Sequence, residues 1–116
     1  MDNQKIAQLG ENLACRYLSG HHYRVIKRNL RFREGEIDIM ASKKGLLIFV
    51  EVKTRTSWQF GYPETAMTDQ KKQRLNQAVN RCLYQMDYQG DFRVDLIAID
   101  LRGRQARLRH YQSIEL

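Results

Sequence analysis

The strongest constraint on the fold is a pair of strand-like segments joined by a very short turn. Glu36 to Ser42 and the apolar run Leu46 to Val52 flank the turn sequence Lys43-Lys44-Gly45. A glycine-containing turn of this length between two such segments predicts an antiparallel β-hairpin. Because the second segment is almost wholly apolar, we expect it to lie in the middle of a sheet.

The turn also predicts which residues of this hairpin stand opposite one another. A two-residue turn at 44–45 places Asp38 directly opposite Glu51. The same turn places Glu36 opposite Lys53. Because side chains alternate between the two faces of a strand, all four of these side chains lie on one face. Facing carboxylates repel each other unless a cation or a shared proton lies between them. A longer turn or a bulge would shift this pairing.

Two other segments repeat apolar residues at helical spacing. The first runs from about Gln4 to Leu18 and ends at Gly20, and the second carries apolar residues from Leu75 to Met86. Side chains able to cap a helix precede both segments: Asp2 or Asn3 for the first, and Thr68 or Asp69 for the second.

Three further strands are predicted at 23–30, 92–100 and 106–111, the last two joined by a turn at Arg102-Gly103. A helix between the third and fourth strands makes those two strands parallel, whereas short links make the first three an antiparallel meander. We therefore predict a single α/β domain over residues 1–116. Its mixed central sheet is flanked by helices, in the order α-β-β-β-α-β-β.

The charge balance favours polyanionic partners. The chain has 20 Lys and Arg residues against 13 Asp and Glu, a formal net charge of +7. Such an excess points first to nucleic acid. A basic but merely solvated surface is the alternative, and charge alone does not decide between them.

The cysteines and the apolar runs exclude several classes of protein. Cys15 and Cys82 have neither CxxC spacing nor a histidine cluster, so we predict no zinc site and no disulfide framework. The polar start of the chain is unlike a signal peptide. No apolar run reaches the roughly 18 residues of a membrane span. We expect a cytoplasmic protein that makes no contact with membranes.

Glu11 lies in a helical stripe that is otherwise apolar or small, with Ala7, Ala14 and Leu18. This stripe should face the sheet, where a carboxylate needs a partner. One interpretation makes Glu11 a further acid of the site formed by the hairpin. The other makes it the partner of Lys53 or of an arginine in a salt bridge.

The charged residues of the hairpin suit phosphodiester hydrolysis. That reaction needs a metal ion to polarise the phosphoryl group and activate water, and Mg²⁺ uses one or two carboxylates. We predict Asp38, Glu51 and Glu11 as ligands of Mg²⁺ or Mn²⁺. Lys53 would assist the water or neutralise charge on the phosphate, and Glu36 would be an accessory acid. An acid-x-Lys triplet can also be a solvated ion pair. Here catalysis is favoured because the triplet lies in a strand predicted to be central and because another acid stands opposite.

A polar and aromatic loop is expected from Thr54 to about Thr68, beside the predicted site. Arg55 and Trp58 of this loop could hold phosphates and stack on bases, although Trp58 could equally cap the core. Lys71, Lys72 and Arg74 at the start of the second helix could contact backbone phosphates, with Lys71 favoured, or could simply be solvated. Asp95 is expected to brace an arginine in the core. No role is assigned to the histidines His21, His22 and His110.

At these residues the chain resembles the PD-(D/E)xK nuclease superfamily, with Asp38 on the second core strand and Glu51-Val52-Lys53 on the third. This resemblance implies a restriction-endonuclease-like fold, a Mg²⁺ site and endonuclease activity. The proline of the superfamily's name is absent, and Ile37 precedes Asp38. Glu11 matches the acid of archaeal Holliday-junction resolvases, which implies a homodimer acting on branched DNA.

The closer resemblance is to the YraN-like bacterial family, and it spans nearly the whole chain. It is carried by Gly10-Glu11 with Ala14 and Leu18, Asn29, GEID at 35–38, FVEVKTR at 49–55, Phe60-Gly61, Lys71 and Arg93-Val94-Asp95. The ending RHYQSIEL lacks the Ala-Phe that is common there, so a role for the C-terminus stays open.

Two functions that involve nucleic acid are left in competition by the sequence, and a protein-interaction module with a fortuitous acid cluster is the third alternative. The first is a Mg²⁺-dependent endonuclease that cuts DNA, rather than RNA, with branched or recombination DNA as a candidate substrate. The second is a non-catalytic nucleic-acid-binding or adaptor protein that keeps the nuclease fold.

Overall fold

The computed structural model describes residues 2–56 and 67–116 and builds from them two helices and five strands. In chain order they are α1 (Asn3–Gly20), β1 (Arg24–Arg31), β2 (Glu36–Lys43), β3 (Leu46–Arg55), α2 (Asp69–Gln85), β4 (Phe92–Arg102) and β5 (Gln105–Tyr111). The predicted order of elements is therefore confirmed. Within these residues no helix has both the length and the apolar character needed to cross a membrane.

The five strands form one mixed sheet in the order β1-β2-β3-β4-β5. β1, β2 and β3 are an antiparallel meander, β3 and β4 are parallel, and β4 and β5 form an antiparallel hairpin. As predicted, the helix between the third and fourth strands accompanies the one parallel pair of this sheet. β3 lies at its centre, as its apolar sequence requires.

The turn between β2 and β3 has the conformation that the sequence predicts. Lys44 and Gly45 both have positive φ, 51° and 80°, as a two-residue type I′ turn needs. The flanking pair is Lys43 with Leu46, and the predicted register holds from there to Ile39 with Val50.

The third strand continues beyond its predicted end. Thr54 and Arg55 belong to β3 and not to a loop, because they continue the parallel ladder opposite Ile99 and Asp100 of β4. A ladder partner on a distant part of the chain is invisible to local pattern, which explains the early end that we predicted. Trp58, the other predicted nucleic-acid contact of this region, lies outside the described residues.

Each face of the sheet is covered by one helix. Ala14 and Leu18 of α1 pack against one set of alternating strand residues: Ile39, Ala41, Ile48, Val50, Ile97 and Ile99. Apolar residues of α2 pack on the opposite face, against Met40, Leu47, Phe49 and Val94. We call this second face, under α2, the site face.

Side-chain caps begin both helices where the sequence predicts them. Asp2 accepts a hydrogen bond from the Lys5 N–H at 2.8 Å, and Thr68 accepts one from the Lys71 N–H at 3.2 Å. Each bond satisfies an amide that the first helical turn leaves without a partner. The cap on Thr68 therefore fixes where α2, and with it Lys71, begins.

A buried polar network braces β4 on the face opposite to the site. The fully buried Asp95 accepts from the Arg93 guanidinium at 2.8 and 2.9 Å, as expected, and from the Ser113 N–H at 3.0 Å. His110 Nε2 lies 2.8 Å from Asp95, and its Nδ1 lies 2.9 Å from the Tyr17 hydroxyl. Burial raises the pKa of Asp95, but the hydrogen bonds from His110 and Arg93 outweigh this effect, and the pKa is below its usual value. His110, to which we assigned no role, is thus a structural residue.

Helix α1 approaches the sheet closely at Gly10. A Cβ atom added there would lie 1.8 Å from Thr54 Oγ1 and 2.9 Å from Thr54 Cβ. No side chain fits between the helix and the end of β3, so glycine is required by the approach. This contact holds the neighbouring residue, Glu11, beside the end of β3.

The close approach predicts opposite effects for two glycine substitutions in α1. Gly10→Ala should lower the free energy of unfolding by about 1–3 kcal/mol, because the added methyl group forces the helix away from β3. Gly20→Ala is the matched control, since nothing lies within 4 Å of its Cβ position. It should be neutral or stabilising by up to about 1 kcal/mol. Urea unfolding followed by circular dichroism measures both, and equal stability of Gly10→Ala and wild type would contradict the contact.

Candidate functional site

Five of the predicted site residues meet in an open cavity on the site face, where β2 begins and β3 ends: Glu36, Asp38, Glu51, Lys53 and Lys71. Glu11 and Arg55 are not among its lining residues. Its volume is about 540 Å³. Its charged lining residues come from β1, β2, β3 and α2: Arg31, Glu36, Asp38, Glu51, Lys53, Lys71 and Arg74. Four of the acids and bases predicted from the hairpin thus share one cavity with cations of the second helix.

The ladder between β2 and β3 stops one pair before the carboxylates. Its last pair is Ile39 with Val50, so the predicted pairing of Asp38 with Glu51, and of Glu36 with Lys53, is not continued as strand pairing. The reason is that Asp38 Oδ2 accepts the Val52 N–H at 2.8 Å. A side-chain carboxylate takes the place of a strand carbonyl, and the two strands part here. Of the two predicted side-chain pairs, Asp38 with Glu51 is still brought together, whereas Lys53 pairs with Glu51.

Asp38 and Glu51 form the centre of the site, and we call them the carboxylate pair. Their carboxyl groups lie within hydrogen-bonding reach of each other. Burial and the charge of Asp38 raise the pKa of Glu51 to about 7, against the opposing influence of Lys53. Burial also raises the pKa of Asp38, although the Val52 N–H opposes the rise. When two facing acids both resist ionisation, a shared proton or a cation between them is favoured.

Two ammonium groups adjoin this pair. Lys53 Nζ lies 3.3 Å from Glu51 Oε1, and both side chains are mostly buried, with 22% and 16% exposed. The charge of Lys53 lowers the pKa of Lys71, which shows that α2 brings a second ammonium next to the first. Like charges held this close favour an anion near them. Lys71 was predicted to contact phosphate, and its place beside Lys53 fits that interpretation.

Glu11 reaches the site from the other side of the sheet. Its Oε1 atom is buried and accepts no hydrogen bond from the described residues. Burial raises the pKa of Glu11, and the charge of Asp38 adds to the rise. The predicted alternative was a salt bridge to Lys53 or to an arginine. Among the described residues Lys53 pairs with Glu51 instead, and Arg28 and Arg31 act on Glu11 only through their charge. Glu11 is therefore a buried carboxyl within the electrostatic reach of the carboxylate pair.

The full set of three predicted metal ligands is not gathered. Among residues 2–56 and 67–116, no three side chains of Asp, Glu, His or Cys stand close enough together to hold one ion. Asp38 and Glu51 are brought together, and Glu11 influences them through charge. The ligand role of Glu11 stays a prediction.

Two arginines also line the cavity: Arg74, which the sequence offered as a phosphate contact, and Arg31, which it did not. Arg31 pairs with Glu36 across β1 and β2, and the close approach of Gly35 to the Arg74 carbonyl brings α2 against the same turn. Reading the β1–β2 register would have placed Arg31 near Glu36. The length of the irregular turn between them hid that register. Glu36 itself is exposed at the rim of the cavity.

Comparison with known proteins places the chain among uncharacterised relatives. The family described as "Uncharacterised protein family UPF0102" matches residues 10–99. A UPF0102 protein of Geobacter metallireducens is 38% identical over 111 residues, covering 95% of this chain and 91% of the relative. One from Chlorobium phaeobacteroides is 43% identical over 81% of this chain and 75% of its own. One from Flavobacterium johnsoniae is 34% identical over 94% and 92%, respectively.

The raised pKa of Glu51 predicts how stability depends on pH. A carboxyl group whose pKa is higher in the folded protein than in the unfolded chain destabilises the fold once it must ionise. The destabilisation grows as pH rises from the pKa of the unfolded chain, about 4.3, to the pKa of the folded protein. For Glu51 the folded pKa is about 7. Glu51→Gln cannot ionise, so it should match wild type near pH 4.5 and exceed it by about 1–3 kcal/mol at pH 8.

Urea unfolding at the two pH values measures this difference. The control is Glu34→Gln, which removes a carboxylate whose pKa is lowered by its hydrogen bond to Arg81. That variant should be less stable than wild type at pH 8, the opposite sign. If Glu51→Gln gains nothing at pH 8, the carboxylate pair is not strained.

Proposed function

This chain belongs to the uncharacterised protein family UPF0102, the YraN-like family, and we propose that it is a metal-dependent endonuclease that hydrolyses phosphodiester bonds of DNA. One observation carries the proposal: two carboxyl groups of raised pKa adjoin a half-buried ammonium in an open cavity rimmed by further cations. Cations hold the phosphate, and carboxylates bind the metal that activates water.

We also propose that the α/β sheet and its helices belong to the restriction-endonuclease-like class. The order α-β-β-β-α-β-β supports this assignment. So do the positions of Asp38 on the second strand and Glu51-Val52-Lys53 on the third, which match the pattern of the PD-(D/E)xK superfamily. DNA rather than RNA, a branched substrate and a homodimer remain parts of the proposal, and they rest on the resemblance to archaeal resolvases.

The residues present fit a hard divalent cation. The donors are carboxylate oxygens, which Mg²⁺ and Mn²⁺ prefer, and Mg²⁺ completes its shell with water when a site offers one or two carboxylates. The mutual repulsion of Asp38 and Glu51 would be relieved by a positive charge between them. None of the described residues donates a hydrogen bond to the buried Oε1 of Glu11, so this oxygen would be available for a further contact.

Asp38 and Glu51 would hold the metal, which would supply Lewis acidity and an activated water when bound. The Val52 N–H keeps the Asp38 carboxylate in one orientation. Lys53 stands on the same edge of the site, where its ammonium can bind a phosphate oxygen and offset the negative charge that develops there. Lys71 brings a second positive charge to the same region. The reaction adds water across a P–O bond and leaves a phosphate monoester and a free hydroxyl.

Cleavage of structured DNA tests this proposal. With Mg²⁺ or Mn²⁺, the purified protein should cut a four-way junction or a flap, and chelation of the metal should stop cleavage. Glu51→Gln and Lys53→Ala should each reduce the rate at least about 100-fold, because one removes a ligand and the other a charge at the reacting phosphate. Gel electrophoresis of labelled strands gives the rate.

Matched controls are available on the same chain. Glu115→Gln and Lys5→Ala make the same chemical changes at exposed positions outside the cavity, and both should cut like wild type. Equal activity of Glu51→Gln and wild type would reject the assignment. Salt-sensitive DNA binding without any turnover would instead indicate the non-catalytic nucleic-acid-binding protein.

Binding of Mn²⁺ can be tested without any substrate. Electron paramagnetic resonance titration should show about one site per chain, with affinity reduced at least about tenfold in Asp38→Asn, since a neutral amide oxygen is the poorer donor. Glu115→Gln should bind like wild type. Equal affinity in Asp38→Asn would remove this carboxylate from the metal site.

A further inference from the structure

A second concentration of charge lies on the hairpin of β4 and β5. Residues 102–109 have the sequence RGRQARLR, with four arginines and no acidic residue. Arg102, Arg104 and Arg107 are exposed, and Arg109 is half-buried, with its Nη2 3.0 Å from Asp100. We call these four residues the arginine hairpin. It lies outside the lining of the site cavity and takes no part in the mechanism above.

Strand register places this hairpin on the site face. Residues that pair directly on neighbouring strands point to the same side of a sheet. Two rows of such pairs cross β3, β4 and β5: Lys53, Ala98 and Arg109, then Arg55, Asp100 and Arg107. Arg107 and Arg109 therefore share a face with Lys53 and, by the same alternation, with Glu51. Two strand spacings separate β3 from β5, roughly 10 Å.

The charge along these rows is one-sided. Lys53 and Arg55 stand on β3 and Arg107 and Arg109 on β5, and Asp100 is the one acid in the two rows. Beyond them a second cavity, of about 640 Å³, is lined by residues of both strands of the hairpin: Asp100, Arg102, Gln105, Ala106 and Arg107. A band of positive charge thus runs from the carboxylate pair across the sheet to its β5 edge.

We propose that the arginine hairpin binds the phosphate backbone of the polynucleotide on one side of the bond to be cut. This inference rests on the proposed function for the position of the cut, and on the charge and register for the contact itself. A polynucleotide carries a negative charge at every nucleotide, and guanidinium groups bind phosphate through paired N–H donors. A band of cations that begins at the reacting phosphate fits a continuous backbone better than a single anion.

The test is binding of a fluorescent 24-base-pair DNA duplex by the full chain in EDTA, followed by anisotropy at several KCl concentrations. Arg104→Gln/Arg107→Gln should weaken binding about tenfold at 50 mM KCl. The slope of log Kd against log salt should fall by roughly 2, because each phosphate contact contributes about 0.9. Circular dichroism confirms that the variant is folded.

The control is Arg16→Gln/Arg24→Gln, which removes the same net charge from exposed positions of α1 and β1. It should keep both the affinity and the slope within twofold of wild type. Equal losses in the two double variants would show a general charge effect and overturn the proposal. Unchanged DNA binding by Arg104→Gln/Arg107→Gln would also overturn the proposal. An acidic protein surface would then be the better candidate for the partner of the hairpin.

Hydrolysis of bis(4-nitrophenyl) phosphate separates this inference from the proposed function. This small diester needs only the site cavity, so Arg104→Gln/Arg107→Gln should hydrolyse it at the wild-type rate while cutting DNA at least about tenfold more slowly at subsaturating concentration. Loss of both activities in this variant would count against a purely binding role. If wild type hydrolyses neither substrate, the proposed function fails, and the anisotropy result alone still decides whether the hairpin binds DNA.

Discussion

The hydrogen bond from the Val52 N–H to the Asp38 carboxylate is the interaction on which the site depends. It occupies a position where a strand carbonyl would otherwise accept, and the ladder of β2 and β3 ends at the pair before it. Regular pairing would have pressed two carboxylates together at a fixed strand spacing. With the strands parted, Asp38 is instead held by a backbone donor, while Glu51 faces it and contacts Lys53. The end of the ladder thus converts a repulsive pair into an ordered cluster of acids and bases.

This cluster works against the stability of the fold. Burial raises the pKa of Asp38, Glu51 and Glu11 together, so each carboxylate is less stable here than in water. Nothing in the packing of the sheet requires acids at these positions, since both apolar clusters are filled by other residues. Strained ionisable groups of this kind gather at functional sites more often than elsewhere. The unfavourable burial of these carboxyl groups is therefore an argument that they have a function.

Local patterns were sufficient to predict much of this arrangement. The two-residue turn and the period of two placed Asp38, Glu51 and Lys53 on one face, and the spacing of apolar residues gave both helices with their caps. The end of the β2–β3 ladder could not be predicted, because it depends on a side chain competing with the backbone. The length of β3 was also missed, because the parallel ladder with β4 supplies its last residues. His110 has a partner far away in sequence, Tyr17, and local pattern gives no signal for such a contact. Arg31 was missed for another reason, because the irregular turn between it and Glu36 hid their pairing.

The connectivity of the sheet has a consequence for how the molecule assembles. β1, β2 and β3 are linked by short turns, so their pairing closes only small loops of chain, which costs little entropy. β3 meets β4 only after a much longer stretch that contains α2, and contacts of that kind form slowly. The carboxylate pair lies within the local meander, whereas Lys71 and the β4–β5 arginines belong to the later part of the chain. A nascent chain would therefore bring Asp38, Glu51 and Lys53 together before Lys71 and the β4–β5 arginines join them.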